Sequence, residues 1–158
     1  MKRHFPRVLF TILFGGCLLT ACAAALAAAA ADDDSAKSEM SRLEGTWTMV
    51  SGERGGMKLD DGMVHSGKRV VKDGQTTVMF GEMLWMKAKF SVDPAKSPKT
   101  IDYTLLSGDD KGKQQLGIYE LDGDTLTICY AAPGADRPTS FTTTANDGNT
   151  ASVWKKSK

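Results

Sequence analysis

From Gly45 onward, short segments of the chain alternate apolar and polar residues with a period of two. Ile101, Tyr103 and Leu105 share one face of such a segment, with Asp102 on the other face. This alternation is typical of β-strands that bury one face. The segments predicted as strands are 46–52, 68–72, 76–80, 84–90, 101–105, 115–121, 125–130, 139–143 and 151–155. The pattern predicts no long amphipathic helix.

Turn-forming residues separate these segments. Asp-Gly pairs at 61–62, 73–74, 122–123 and 147–148 accept the positive φ angles that hairpin turns require. Because each strand offers one apolar face, closing the sheet on itself buries that face and leaves no exposed edge. We therefore predict an all-β domain, an antiparallel β-barrel of about eight to nine strands, preceded by a short helix at 36–43.

The first 31 residues follow a different pattern. A positively charged start precedes an apolar run of 13 residues, Val8 to Thr20. This is the layout of a secretory signal peptide, and the run is too short to span a bilayer comfortably. The alanine-rich stretch 21–31 lengthens the apolar segment, so a retained membrane anchor is an alternative. The predicted domains are a signal peptide at 1–31, a flexible tether at 32–40 and the barrel at 41–156. We therefore expect an extracytoplasmic protein, either periplasmic and tethered to a membrane as a lipoprotein, or secreted.

Two kinds of cleavage fit this leader. The tetrad that ends at Cys22, Leu-Thr-Ala-Cys, resembles a bacterial lipobox, in which the cysteine is acylated and tethers the protein to a membrane surface. Alternatively, cleavage after the alanines at 27 or 31 would release a protein without a lipid. Cys129 would then be the only cysteine in the domain, so we expect no intrachain disulfide.

Charge and chemistry narrow the function classes. The leader holds three of the 20 basic residues and none of the 19 acidic ones, so the rest carries a net charge of −2. A basic nucleic-acid binder is thereby excluded. His65 is the only histidine after the leader, and no pattern of metal ligands accompanies it. We expect no metal, no cofactor and no enzymatic activity; a hydrolase-like enzyme using His65 is the third hypothesis. Asp102 and Arg137 are expected to pair and tie a loop to a strand.

Aromatic, aliphatic and methionine side chains supply the candidate lining of the barrel. Six methionines lie between residues 49 and 86, and this flexible side chain suits a core or an apolar pocket. The candidate residues for the barrel end or pocket are Trp47, Met49, Met86, Phe90, Ile101, Tyr103, Ile118, Leu126, Ile128 and Tyr130. The first hypothesis is a cavity for a small apolar ligand or envelope component; the second is a filled barrel that serves as an interaction or structural module. The pattern indicates no particular oligomeric state.

The segment Leu-Glu-Gly-Thr-Trp at 43–47 resembles the Gly-x-Trp opening of lipocalin-type barrels, in which the tryptophan plugs one end. Together with the segments 93–102, 117–130 and 133–138, it resembles a planctomycete family of exported lipocalin-like domains of unknown function, over about residues 41–156. The resemblance implies a single lipocalin-like barrel behind a signal peptide and no established catalytic residues. Members tend to pack an arginine of the last strand on the opening Trp; here lysines follow Trp154, so we expect a weaker cation–π contact.

Overall fold

The computed structural model describes residues 33–158. The predicted signal peptide, its cleavage site and Cys22 lie outside these residues. The helices and strands, in chain order, are α1 (33–43), β1 (Gly45–Arg54), β2 (Met57–Lys58), α2 (Asp61–Ser66), β3 (Gly67–Lys72), β4 (Gln75–Phe80), β5 (Met83–Asp93), β6 (Lys99–Leu105), β7 (Gln114–Asp122), β8 (Thr125–Tyr130) and β9 (Thr150–Lys156).

Eight of the nine strands close into a barrel. From β3 to β9 each strand pairs with the next one along the chain, β1 pairs with β3, and β1 also pairs with β9, which completes the ring. All of these pairs are antiparallel. β2 is a two-residue extension hydrogen-bonded to the end of β1. The predicted antiparallel barrel of eight to nine strands with a short N-terminal helix is therefore confirmed.

The two ends of the barrel differ because the strands alternate in direction. The end next to α1 carries short connections, including the hairpin turn at 73–74, where Asp73 and Gly74 have φ angles of 50° and 70°. The backbone N–H of Asp73 donates to Glu44 Oε1 at 3.1 Å, and Lys156 Nζ donates to the carbonyl of Arg42 at 2.9 Å, so this end is tied to α1. The opposite end, here called the mouth, carries the longer segments 55–66, 106–113 and 131–149.

The segment predicted as a flexible tether is helical from residue 33 onward. Its inward face packs on the barrel: Leu43 belongs to the core cluster and Met40 lies against it. Glu39 is buried on the same face and pairs with Lys99 of β6 and with Arg42. The helix starts three residues earlier than the one predicted at 36–43 and covers most of the segment predicted as a tether, because packing of its apolar face against the barrel stabilises it.

Two local predictions also need correction. Residues 139–143 form no strand; Thr143 instead donates to Glu53 Oε1 at 2.5 Å and accepts from the N–H of Gly56 at 2.8 Å. The pair at 61–62 starts α2 rather than a hairpin, because the Asp60 side chain caps the helix by accepting from the N–H of Met63 at 2.9 Å. Side-chain hydrogen bonds to the backbone stabilise the loop at 139–143 and the start of α2. Such bonds compete with the strand and hairpin hydrogen bonds that the sequence pattern predicts.

Candidate functional site

Nine of the ten predicted lining residues lie in one buried cluster inside the barrel: Trp47, Met49, Met86, Phe90, Ile101, Tyr103, Leu126, Ile128 and Tyr130. Ile118 lies on the outer face instead, where it packs with Cys129 and Ala151 beneath Phe141. Its assignment to the barrel lining was wrong. Successive side chains of a strand point to opposite sides, and Tyr119, the next residue, belongs to the interior cluster.

Trp47 occupies the α1 end of the interior. Its side chain is fully buried, and its indole Nε1 donates to the carbonyl of Leu43 at 2.9 Å. Lys156 Nζ lies 5.2 Å from the centroid of the Trp47 ring. The lysine thus stands over the opening tryptophan, and an ammonium makes a cation–π contact without the planar stacking of a guanidinium.

The interior itself is filled by these side chains. Two small cavities lie within it: one of about 30 Å³ toward the mouth and one of about 10 Å³ beside Arg69. A single water molecule needs about 10–15 Å³ of such space, whereas pockets for small molecules enclose roughly 300–1,000 Å³. The space inside the barrel is therefore of water size.

Larger spaces lie outside the filled interior: one of about 390 Å³ lies on the outer wall beside β1, β9 and Phe141, and two lie at the mouth. One open depression of about 780 Å³ is lined by Met57, Leu59 and Met63, and a second of about 250 Å³ by Trp85 and Tyr130 among others. Arg54 borders both depressions and the 30 Å³ cavity between them. We call Arg54, Met57, Leu59, Met63, Trp85 and Tyr130 the mouth cluster.

Trp85 connects the wall of the mouth to the core. It is 39% exposed, and its ring meets Phe80 edge-on at a centroid distance of 5.6 Å. Its indole Nε1 donates to the Tyr130 hydroxyl at 3.4 Å. Arg54 Cζ lies 5.5 Å from the centroid of the Trp85 ring. Within residues 33–158 Arg54 forms no salt bridge, so its guanidinium is available to an anionic group.

No family model, curated protein or solved structure matches the chain. The resemblance to the planctomycete domains therefore stays a prediction. Neither of the described helices has the length and apolar character needed to cross a membrane. Among residues 33–158, no group of three or more His, Cys, Asp or Glu side chains is placed to hold a metal ion.

The residues singled out for chemistry lie apart from one another. His65 is exposed in the last turn of α2. Arg137 Nη1 pairs with Asp102 at 2.5 Å and donates to the carbonyl of Gly117 at 2.7 Å, which confirms the predicted tie between loop and strand. Cys129 is buried on the outer face.

The Cys129 thiol should be unreactive in the folded protein. Burial, followed by the negative charges of Asp147 and Glu53, raises the pKa of this thiol to about 11. We expect no carbamidomethylation of Cys129 by iodoacetamide at about pH 8, where an exposed thiol is partly ionised. Peptide mass spectrometry checks this, and the same treatment in guanidinium should modify the residue fully. Rapid labelling of the native protein would contradict the burial.

Arg54 escaped prediction from the sequence. It precedes Gly55 and Gly56 in a polar segment that is typical of a solvated turn. The only sequence feature that pointed to this region was the group of methionines between residues 49 and 86. These predicted an apolar lining but did not show that the lining would lie at the mouth.

Proposed function

We propose that the protein is an extracytoplasmic, non-enzymatic binding module that holds a small apolar ligand at the mouth of a lipocalin-like barrel. The observation that carries this proposal is the mouth cluster: a depression of about 780 Å³ with an apolar methionine and leucine wall lies over an interior whose cavities are of water size. A ligand therefore has room above the core and none within it.

The chemistry of the mouth favours an aromatic or aliphatic molecule with an anionic group. Met57 and Met63 offer flexible, polarisable side chains that adapt to an apolar surface. Trp85 offers a partly exposed ring face, and Arg54 beside it offers hydrogen-bond donors suited to a carboxylate or sulfonate.

The position of α1 supports a membrane-tethered arrangement in this proposal. Residue 33, where the described chain begins, belongs to the helix at the end opposite the mouth. If Cys22 carries acyl chains, the tether enters the described domain at the α1 end, opposite the mouth.

A filled interior also favours a second candidate, a module that docks onto another protein through the same rim. Met57, Met83, Leu84 and Trp85 are exposed apolar residues at this end, with Met57 73% exposed. Clusters of this kind on a soluble domain mark interaction sites. The two candidates differ in whether the isolated protein binds small apolar probes.

Trp85→Ala should weaken the binding of apolar probes at the mouth. We expect the protein to bind both anionic 8-anilinonaphthalene-1-sulfonate and neutral N-phenyl-1-naphthylamine, with the variant binding each about tenfold more weakly because an aromatic contact is lost. Fluorescence titration provides the dissociation constants. Val70→Ala, which removes an exposed apolar side chain from β3 on the barrel wall, is the matched control and should bind like the original protein.

Arg54→Met distinguishes the contribution of the positive charge to probe binding from the contribution of the apolar surface. The anionic probe should bind several-fold more weakly to this variant, whereas the neutral probe should bind at least as well, because the substitution removes a guanidinium and keeps an apolar chain. Equal binding of both probes to all four proteins would place the probe elsewhere. An absence of binding to the original protein would overturn the small-ligand proposal and leave the docking module.

A further inference from the structure

Arg69 is a cation inside the barrel that has no counter-charge within the described part of the chain. It lies on β3 and is 2% exposed, and within residues 33–158 it forms no salt bridge. Its Cζ lies 4.8 Å from the centroid of the Trp154 ring. Burying an ionised group is costly unless a partner of opposite charge accompanies it, and an aromatic ring face offers only part of that compensation.

The side chains around Arg69 add further hydrogen-bond donors. Arg69 Nη1 donates to Thr76 Oγ1 and to the Tyr103 hydroxyl, each at 3.3 Å. Both hydroxyl oxygens thus act as acceptors, and within the described chain neither hydroxyl donates its own hydrogen to another side chain or carbonyl. Arg69 Nε is buried and has no hydrogen-bond partner among residues 33–158.

The Tyr103 hydroxyl keeps its hydrogen near neutral pH. Burial raises the pKa of this phenol above its ordinary value, and the opposing effect of the Arg69 charge is the smaller one. Arg69, Tyr103 and Thr76 therefore carry N–H and O–H groups and one full positive charge in a region where residues 33–158 place no anionic acceptor.

The space beside these donors restricts what can fill it. The cavity of about 10 Å³ is lined by Arg69, Thr76 and Tyr103 together with apolar side chains such as Phe90 and Ile128. This volume is the lower limit of what one water molecule needs. A carboxylate, phosphate or sulfate group is too large for it, and a chloride ion, which is larger than water, enters only when the lining side chains move slightly apart.

We propose that Arg69, Tyr103 and Thr76 bind a single halide ion, such as chloride, inside the barrel. The ion neutralises the buried guanidinium and accepts the hydrogens of the two hydroxyl groups. This site is separate from the mouth cluster and does not depend on the proposed ligand-binding function.

Bromide provides the direct test, because it can replace chloride and scatters X-rays anomalously. Crystals of the protein grown with sodium bromide should show an anomalous peak between Arg69, Tyr103 and Thr76. In solution, Tm should be about 5 °C higher in sodium chloride than in sodium gluconate of equal ionic strength, because the folded state alone binds the ion. A water molecule without anomalous signal, or equal Tm values in the two salts, would overturn the proposal.

Conservative variants test whether the chloride-dependent shift in Tm arises at Arg69. Tyr103→Phe and Thr76→Val each remove one donor with little change in volume, and each should reduce the chloride-dependent shift in Tm by at least half. Tyr119→Phe is the matched control, since it removes another buried phenolic hydroxyl that has no partner, and it should keep the full shift. Arg69→Met should abolish the shift if it folds; otherwise the two conservative variants decide. The same shift in all variants would contradict binding at Arg69.

Discussion

Trp47→Ala should lower the free energy of unfolding by about 3–5 kcal/mol, the range for truncating a large buried aromatic side chain. Trp47 is completely buried, and its indole donates to the Leu43 carbonyl at 2.9 Å. The substitution therefore leaves a cavity at the α1 end and removes one of the hydrogen bonds that tie α1 to the barrel. Urea denaturation followed by circular dichroism measures the loss.

Trp85→Ala is the matched comparison, because it makes the same chemical change at a partly exposed position on the rim. Its loss should be smaller, about 1–2 kcal/mol, because Trp85 is 39% exposed and its main buried contact is the edge-on one with Phe80. Trp47→Phe should fall between the two, since it keeps most of the volume and loses the indole donor. Similar losses for the two alanine variants would mean that Trp47 does not seal the barrel.

The alternation of apolar and polar residues was sufficient to predict the strands of the barrel. It was insufficient to predict which side of a strand faces the interior where both sides are covered. Eight of the nine predicted strand segments fall on observed strands. The ninth, 139–143, lies in a loop whose Phe141 covers Ile118 on the outer face of β7. An apolar residue on that face looks like a core residue in sequence, because alternation records burial without distinguishing the barrel interior from the underside of a loop.

The alternation of apolar and polar residues could not predict the buried position of Arg69. Arg69 sits between Lys68 and Val70 in β3, where a basic pair is typical of a solvated strand. Only the register, which pairs Arg69 with Trp47 on one side and Val78 on the other, places its side chain inside. In contrast, the pairing of Asp102 with Arg137 was predicted, since oppositely charged residues at a loop and a strand can meet without a special register.

Gly117→Ala should lower the free energy of unfolding by about 2–3 kcal/mol, because overpacking a filled interior forces neighbouring atoms to move. Gly117 lies in β7 between Ile101 of β6 and Tyr130 of β8. A methyl group there would meet the Cys129 carbonyl oxygen at 2.9 Å and Tyr130 Cβ at 3.1 Å. Chemical denaturation of the variant measures the effect.

Gly108→Ala makes the same substitution at a position with free space, where the only cost is the strain of a positive φ angle. Within residues 33–158 no atom lies within 4 Å of the added carbon, but φ is +79°, so we expect a loss of about 1 kcal/mol from the left-handed conformation alone. A loss for Gly117→Ala no larger than this would show that β7 and β8 adjust freely. Our expectation is the opposite, because one obstacle is a backbone carbonyl between paired strands rather than the end of a flexible side chain.

The Gly117 substitution should also weaken ligand binding at the mouth. Displacement of Tyr130 would disturb the hydrogen bond from the Trp85 indole to the Tyr130 hydroxyl, and Trp85 forms the aromatic wall of the proposed ligand site. We therefore expect Gly117→Ala to weaken binding of N-phenyl-1-naphthylamine under conditions where the variant is folded, whereas Gly108→Ala should bind the probe normally. Unchanged binding by the Gly117 variant would mean that Trp85 keeps its position without Tyr130. The filled interior would then matter for stability alone, because it would not position the mouth.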